Sequence, residues 1–108
     1  MKKAPPNVAH ILFEKHLREL GLDYVKEYRF HPTRKWKFDY LCKPDVAIEI
    51  EGGIWSGGRH TRGKGYQSDL DKYNQATMMM YKVLRFSTTD VLRGRAKAFL
   101  AAHLQDGQ

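Results

Sequence analysis

Two short stretches of this chain carry acidic side chains where acids are unfavourable. Asp39 stands between Phe38 and Tyr40, and Glu49 and Glu51 alternate with isoleucines in Ala47-Ile48-Glu49-Ile50-Glu51. Asp and Glu are poor strand formers, and like charges on one face of a strand repel. Strand alternation puts Glu49 and Glu51 on one face, about 7 Å apart. A hairpin around Pro44-Asp45 brings Asp39 to that face from a neighbouring strand about 4.8 Å away. Three carboxylates so close push at least one pKa upward unless a cation sits among them. The pattern predicts a cage for one divalent cation; the competing reading is an exposed acidic edge balanced by nearby lysines and arginines. One cysteine and five scattered histidines argue against zinc. All-oxygen ligation points to Mg2+, with Mn2+ able to substitute. In a basic groove such an ion acidifies water and neutralises charge on phosphate oxygens, which is the chemistry of phosphodiester hydrolysis. A nearby Lys or Arg would stabilise the transition state or protonate the leaving group.

The net charge of +7 over 108 residues favours a polyanionic partner. A soluble surface that happens to be basic is the plain alternative. Distribution says more than the total. Arg34, Lys35 and Lys37 cluster, as do Arg59, His60, Arg62 and Lys64, with Trp36, Trp55 and Tyr66 among them. Cations beside aromatic planes suit phosphate contact plus stacking. Arg34, Lys35, Lys37, Trp55, Arg59, Arg62 and Lys64 are therefore the expected nucleic-acid-binding residues. Cys42 stands alone and can form no internal disulfide, so a reducing, cytoplasmic setting is expected. No stretch approaches the about 20 apolar residues of a membrane span, and no signal-peptide core is visible, so no membrane partner is expected.

The length suits one domain over residues 1–108. Asn7 is expected to cap a first helix running to about Leu20, with Val8, Ile11, Leu12 and Leu20 as its apolar stripe and Gly21 as its stop. Strands are expected over Tyr24–His31, over Trp36–Cys42, where Trp36, Phe38 and Tyr40 alternate with charged residues, and over Val46–Glu51. Six of the nine glycines fall between Gly52 and Gly65, which denies that segment regular structure and permits close approach to a ligand. A second helix is expected from near Ser68, with Ser68-Asp69-Leu70-Asp71 as a capping box and Leu70, Tyr73, Thr77, Met78 and Tyr81 on one face. The run Met78–Met80 reads as core packing. Lys82–Phe86 forms a fourth strand. Ser87, Thr88 or Thr89 then caps a last helix lined by Leu92, Ala96, Phe99, Leu100 and His103; Gly94 weakens its first turns by about 1 kcal/mol, which makes a start after Gly94 the alternative. The order α-β-β-β-α-β-α predicts an α/β (α+β) fold with one mixed central sheet flanked by helices.

At these residues the sequence resembles the PD-(D/E)XK nuclease superfamily. The order matches: a helix carrying Glu14, a strand, Phe38-Asp39-Tyr40, Glu49-Ile50-Glu51, a helix, a strand. It is most similar to the Vsr-like and small phage or bacterial endonuclease-like branch, whose third strand runs into a Gly-rich loop with Trp and His, as Glu51-Gly-Gly-Ile-Trp55-Ser-Gly-Gly-Arg-His60 does. Asp69-Leu-Asp-Lys72-Tyr-Asn74 before Val83-Leu-Arg85-Phe86 also resembles that branch. The similarity runs from about Phe13 to Leu92. It implies a restriction-endonuclease-like fold and a Mg2+-dependent DNA endonuclease. Asp39 and Glu49 would be the metal-binding acids, the Ile50 carbonyl a third ligand and Glu14 an auxiliary acid. One departure matters: Glu51 occupies the family's lysine position. Lys72 and His60 are the candidates to replace that base, with Lys64 a weaker one, and Glu51 is left to bind a second metal, orient water or steady the loop. Arg85 is expected in a core strand, paired with Asp69 or Asp71.

A chain this small has little surface for reading a long DNA sequence. Structured, nicked or mismatched DNA is the expected substrate, in repair or recombination, cut by a single-strand nickase or a homodimer. The rival reading is a non-catalytic nucleic-acid-binding module with the same basic groove. A third is an RNA-binding or protein-interaction domain indifferent to divalent metal.

Overall fold

The computed structural model describes residues 8–52 and 64–105, the Lys64 side chain excepted. The elements are α1 (Val8–Glu19), β1 (Tyr24–Arg29), β2 (Lys37–Cys42), β3 (Val46–Glu51), α2 (Lys64–Met78), β4 (Lys82–Ser87), α3 (Thr88–Leu92) and α4 (Arg95–His103). The sheet order is β1-β2-β3-β4. β1, β2 and β3 are antiparallel neighbours, and β4 joins β3 in parallel after the α2 crossover. This is the mixed sheet flanked by helices that the sequence predicts. No helix among the described residues is long and apolar enough to cross a membrane.

Both faces of the sheet are covered. Val46, Ile48 and Ile50 of β3 pack with Phe13 and Leu17 of α1, Val91 of α3 and Leu100 of α4. Ala47 faces the other way, into a cluster of Phe30, Phe38 and Ala76 from α2. Burying each large apolar side chain is worth roughly 1.5–3 kcal/mol, so the two clusters clamp β3 from both sides. Glu49 and Glu51 share the Ala47 face, under α2.

Several local expectations are corrected. The inner stripe of α1 is Ala9, Phe13 and Leu17, with the expected Leu12 and Leu20 packed against the same cluster, while Ile11 is 59% exposed. The i,i+4 spacing of those three defines the buried face, and Ile11 falls off it. α2 begins at Lys64, so Ser68 is not a cap; its hydroxyl accepts a hydrogen bond from Trp36 Nε1 at 3.3 Å. The α2 residue sealed into the core is Ala76, whereas Leu70, Thr77 and Met78 face outward. Met78 and Met80 are each 78% exposed rather than core. The helix ends there, and Met80 takes a left-handed φ of 74° that swings Tyr81 against Phe30 and Phe38 instead. The final helix is two. Ser87 caps α3 in a reciprocal box with Asp90, and Gly94 at φ 78° breaks the chain before α4. Leu92 is exposed as a result, and Ala96 and Leu100 carry the packing.

The irregularity that shapes the site lies in β1 and β2. Lys26 pairs with Tyr40 and Tyr28 with Phe38, but Glu27 and Asp39 between them are unpaired, and Glu27 has φ 56°. The alternation therefore changes phase. Tyr40 packs with α1 and Phe38 with α2, so the expected single face of Trp36, Phe38 and Tyr40 is split across the sheet. The β2–β3 ladder runs only as far as Tyr40–Ile48. Beyond it the strands part, and Asp39 sits in the gap.

Candidate functional site

Where the ladder stops, two carboxylates take over its hydrogen bonds. The Asp39 N–H donates to Glu49 Oε2 at 3.1 Å, and the Ile50 N–H donates to Asp39 Oδ2 at 2.8 Å. Each acid satisfies a backbone donor that the parting strands would otherwise leave unpaired. Asp39 Oδ1 has no partner among the described residues. Burial raises the Asp39 pKa, the Ile50 N–H opposes that, and the Glu49 charge adds to the rise while His10 and Lys72 oppose it.

From α2, Lys72 Nζ donates to Glu49 Oε1 at 2.9 Å and the Tyr73 hydroxyl donates to the same oxygen at 2.6 Å. The pair is nearly closed to water, with side-chain exposures of 12% for Lys72 and 10% for Glu49. Taking two charges out of water is expensive, so a buried pair of this kind is weak evidence for stability alone. Burial and the bond to Glu49 push the Tyr73 hydroxyl pKa up, which keeps it a donor. Lys72, four residues into the Asp69–Lys72 helix segment singled out in the sequence, thus reaches Glu49 from another element.

The expected three-acid cage does not form among the described residues, where no group of three or more His, Cys, Asp or Glu side chains could hold a metal. Glu51 is drawn away by Arg85, which forks onto both of its oxygens, with Nη2–Oε1 at 3.1 Å. Parallel pairing sets Arg85 opposite Glu49, on the α2 face, and its guanidinium lies 4.6 Å from the Tyr73 ring centre. Arg85 is half exposed and paired with Glu51, not a core residue paired with Asp69 or Asp71.

On the α1 side a cleft of about 290 Å³ opens beside Asp39, lined also by His10, Glu14, Lys26 and Tyr40. The Tyr40 hydroxyl donates to Glu14 Oε2 at 2.8 Å and lies 3.0 Å from His10 Nδ1. Lys26 Nζ is 3.4 Å from the same Glu14 oxygen. Burial, then the bond to Glu14, pushes the Tyr40 hydroxyl pKa up. Glu14 thus stands in the same cleft as Asp39, committed to Tyr40 and Lys26.

The fold has a solved counterpart. The catalytic domain of the homing endonuclease I-Bth0305I superposes with a TM-score of 0.61 at 18% identity, over 89% of this chain and 96% of that one. At that identity the likeness is one of fold. No family model and no curated protein matches the sequence.

The basic residues fall into two sets. Arg34, Lys35 and Lys37 are exposed around the β1–β2 connection, where the Arg34 guanidinium stacks 4.0 Å from the Trp36 ring and Lys37 pairs with Glu27. Trp55, Arg59, His60 and Arg62 lie outside the described residues, as does the Lys64 side chain. Tyr73, Tyr40 and His10 were not read from the sequence as site residues. Tyr73 looked like helix packing, and Tyr40 like one member of an alternating strand. His10 carries one faint signal, its i,i+4 spacing from Glu14 on a helix.

Proposed function

We propose that this chain is a metal-dependent endonuclease that hydrolyses DNA phosphodiester bonds, with Asp39 and Glu49 as its metal-binding acids. The observation that carries the reading is the meeting of these two acids at the break between β2 and β3, with the Lys72 ammonium against them. Three further points support it: a basic surface at Arg34 and Lys35, a fold shared with a homing endonuclease catalytic domain, and the net charge of +7. The donor set suits a hard ion that takes most of its shell from water and phosphate, and does not suit one that needs a closed protein cage. Mg2+ is the proposed ion, with Mn2+ substituting. When bound, it would supply positive charge to the scissile phosphate and acidify a nearby water.

The chain's own residues divide the remaining work. Glu49 is aligned by Tyr73, Lys72 and the Asp39 N–H, so its carboxylate is held rigid. Lys72, hydrogen-bonded to Glu49, would supply charge towards the phosphate. Arg34 and Lys35 would hold the DNA backbone. The proposed substrate is structured, nicked or mismatched DNA, with a homodimer as the form that would cut symmetric strands.

The test is a panel of junction, flap, mismatch, nicked and linear duplexes, incubated with Mg2+, Mn2+ or EDTA. Cleavage with Mg2+ or Mn2+, abolished by EDTA and reduced to background in Asp39→Asn and Glu49→Gln, is expected. DNA bound but never cut would make the chain a binding module. Wild-type rates in both variants would remove the two acids from the site.

A further inference from the structure

The connection between β1 and β2 carries two exposed cations, Arg34 and Lys35, that have no acidic partner among the described residues. The backbone that bears them is tied down. His31 Nδ1 accepts from the Thr33 N–H at 3.2 Å and from the Arg34 N–H at 3.0 Å, with the Thr33 hydroxyl 3.5 Å away. A backbone N–H can only donate, so Nδ1 bears the lone pair and the ring hydrogen is on Nε2. Nε2 then donates to Gln75 Oε1 of α2 at 3.3 Å, and Trp36 Nε1 donates to Ser68 of the same helix at 3.3 Å. Beneath the turn, the Phe30 and Phe38 rings stack with centres 4.1 Å apart, and Trp36 lies against Phe30 at 6.3 Å. The Arg34 guanidinium closes this stack, 4.0 Å from the Trp36 ring. The Trp36 face it covers is not open to a base, whereas a guanidinium lying flat keeps the N–H donors of its rim free. Ser68, Lys72 and Gln75 share one face of α2 by their spacing, so the stripe that anchors the turn also carries Lys72 to Glu49.

We propose that the β1–β2 turn is a phosphate clamp for duplex DNA, with Arg34 and Lys35 as its gripping residues and His31 as the positioning residue that presets them. The clamp takes its ligand from the nuclease reading, but its grip needs neither metal nor cleavage. Arg34 forks onto two oxygens of one backbone phosphate, and Lys35 adds a point charge beside it. Contacts to the backbone carry no base information, so the grip is the same on any sequence and serves to set the duplex against α2. Because the turn is already shaped by His31, little freedom is lost when the phosphate arrives.

Equilibrium binding to two duplexes of unrelated sequence, in EDTA over a range of salt, tests the clamp without cleavage. Arg34→Gln should weaken both duplexes alike by about tenfold. It should also lower the slope of log affinity against log salt by about 1. His31→Leu takes away only an uncharged acceptor, yet it should reproduce both losses, because the turn is released. His31→Asn should restore both, since an Asn carbonyl accepts from the backbone two residues on, as Nδ1 does here. Long-range 1H–15N spectra of the wild type should place the His31 hydrogen on Nε2. Wild-type affinity and slope in Arg34→Gln overturn the clamp, and so does a loss confined to one sequence, which would mean base readout. A wild type that binds neither duplex in EDTA overturns it too. His31→Leu binding as tightly as the wild type, His31→Asn binding as weakly as His31→Leu, or a hydrogen on Nδ1 each removes His31 from the positioning role. A wild type that shows the clamp and never cuts ends the nuclease reading alone. A cutting wild type with an indifferent Arg34 ends the clamp alone.

Discussion

The two flanks of the acid pair are built from the same parts and differ in access to water. On each side a tyrosine hydroxyl donates to a glutamate and a basic residue completes the group: Tyr40, Glu14 and Lys26 with His10 towards α1, and Tyr73, Glu49 and Lys72 towards α2. Lys26 is 58% exposed, whereas Lys72 is 12% exposed. The α1 flank opens into a cleft; the α2 flank is roofed by its helix and by the Arg85–Tyr73 stack. An open flank suits groups that must meet water, and a closed one suits a charge that must be felt in low dielectric.

The largest expected effect tests that difference directly. Lys72→Met keeps the side-chain stem but leaves Glu49 charged and short of a partner in a nearly closed site. Breaking a buried pair in this way costs about 3–5 kcal/mol, and the Tyr73 and Asp39 donors that remain place the loss at the lower end. Lys26→Met removes a charge that water can replace, so its cost should stay within about 1 kcal/mol. Urea unfolding of both variants measures the contrast. Equal losses would show that the two flanks do not differ in burial as described.

The flanking helices also end differently, and the expected effects are smaller and opposite in sign. α1 closes with Gly21 at φ 72°, its N–H on Arg18 O and the next N–H, from Leu22, on Leu17 O. α2 closes with the same pair of bonds, Met80 to Thr77 and Tyr81 to Ala76, but with methionine at φ 74° in the glycine position. A left-handed conformation costs a side-chain-bearing residue roughly 1–2 kcal/mol, partly offset by the extra freedom glycine gains when unfolded. Met80→Gly should therefore stabilise by up to about 1 kcal/mol and Gly21→Ala destabilise by about as much. A Cβ at Gly21 meets nothing within 4 Å, so its loss would come from φ alone. Thermal melts that move both variants the same way would refute the matched description.

This contrast also shows what the sequence could and could not reveal. Element order was legible because strand and helix periods are local properties, and β3 was legible to the residue. The phase change at Glu27 and Asp39 was not, because nothing in Lys-Phe-Asp-Tyr marks a break in alternation. Tyr40 and Phe38 therefore read as one face and fold as two. Met78–Met80 read as core because composition carries no sign of where a helix stops. Among the acids, Asp39 and Glu49 do come together, but at the gap where the β2–β3 ladder stops rather than as neighbours in a regular hairpin. The pairing of Glu51 with Arg85 was not legible, because Arg85 lies on a strand that joins β3 only through a crossover. Lys72 was reached only through the resemblance and His10 not at all, because both come from helices whose packing onto the sheet faces is tertiary, and a period cannot announce it.

The smallest expected effect is on the outer side of α1, and it depends on pH. Glu19 bonds to Lys15 at 2.8 Å and to Lys97 at 2.7 Å, tying α1 to α4. Those two bonds, Lys15 first, lower its pKa from 4.5 to about 2. A carboxyl whose folded pKa is depressed binds fewer protons folded than unfolded, so its stabilisation is complete above the unfolded value. It is lost as pH falls from about 4.5 through about 2. Glu19→Gln should melt slightly below the wild type at pH 7, and the two curves should converge as the pH approaches 2. Added salt should shrink the gap at neutral pH, because both partners are exposed to solvent. A gap that persists in acid would mean that Glu19 acts through packing rather than charge, and that the open flank is tied down more firmly than its ion pairs explain.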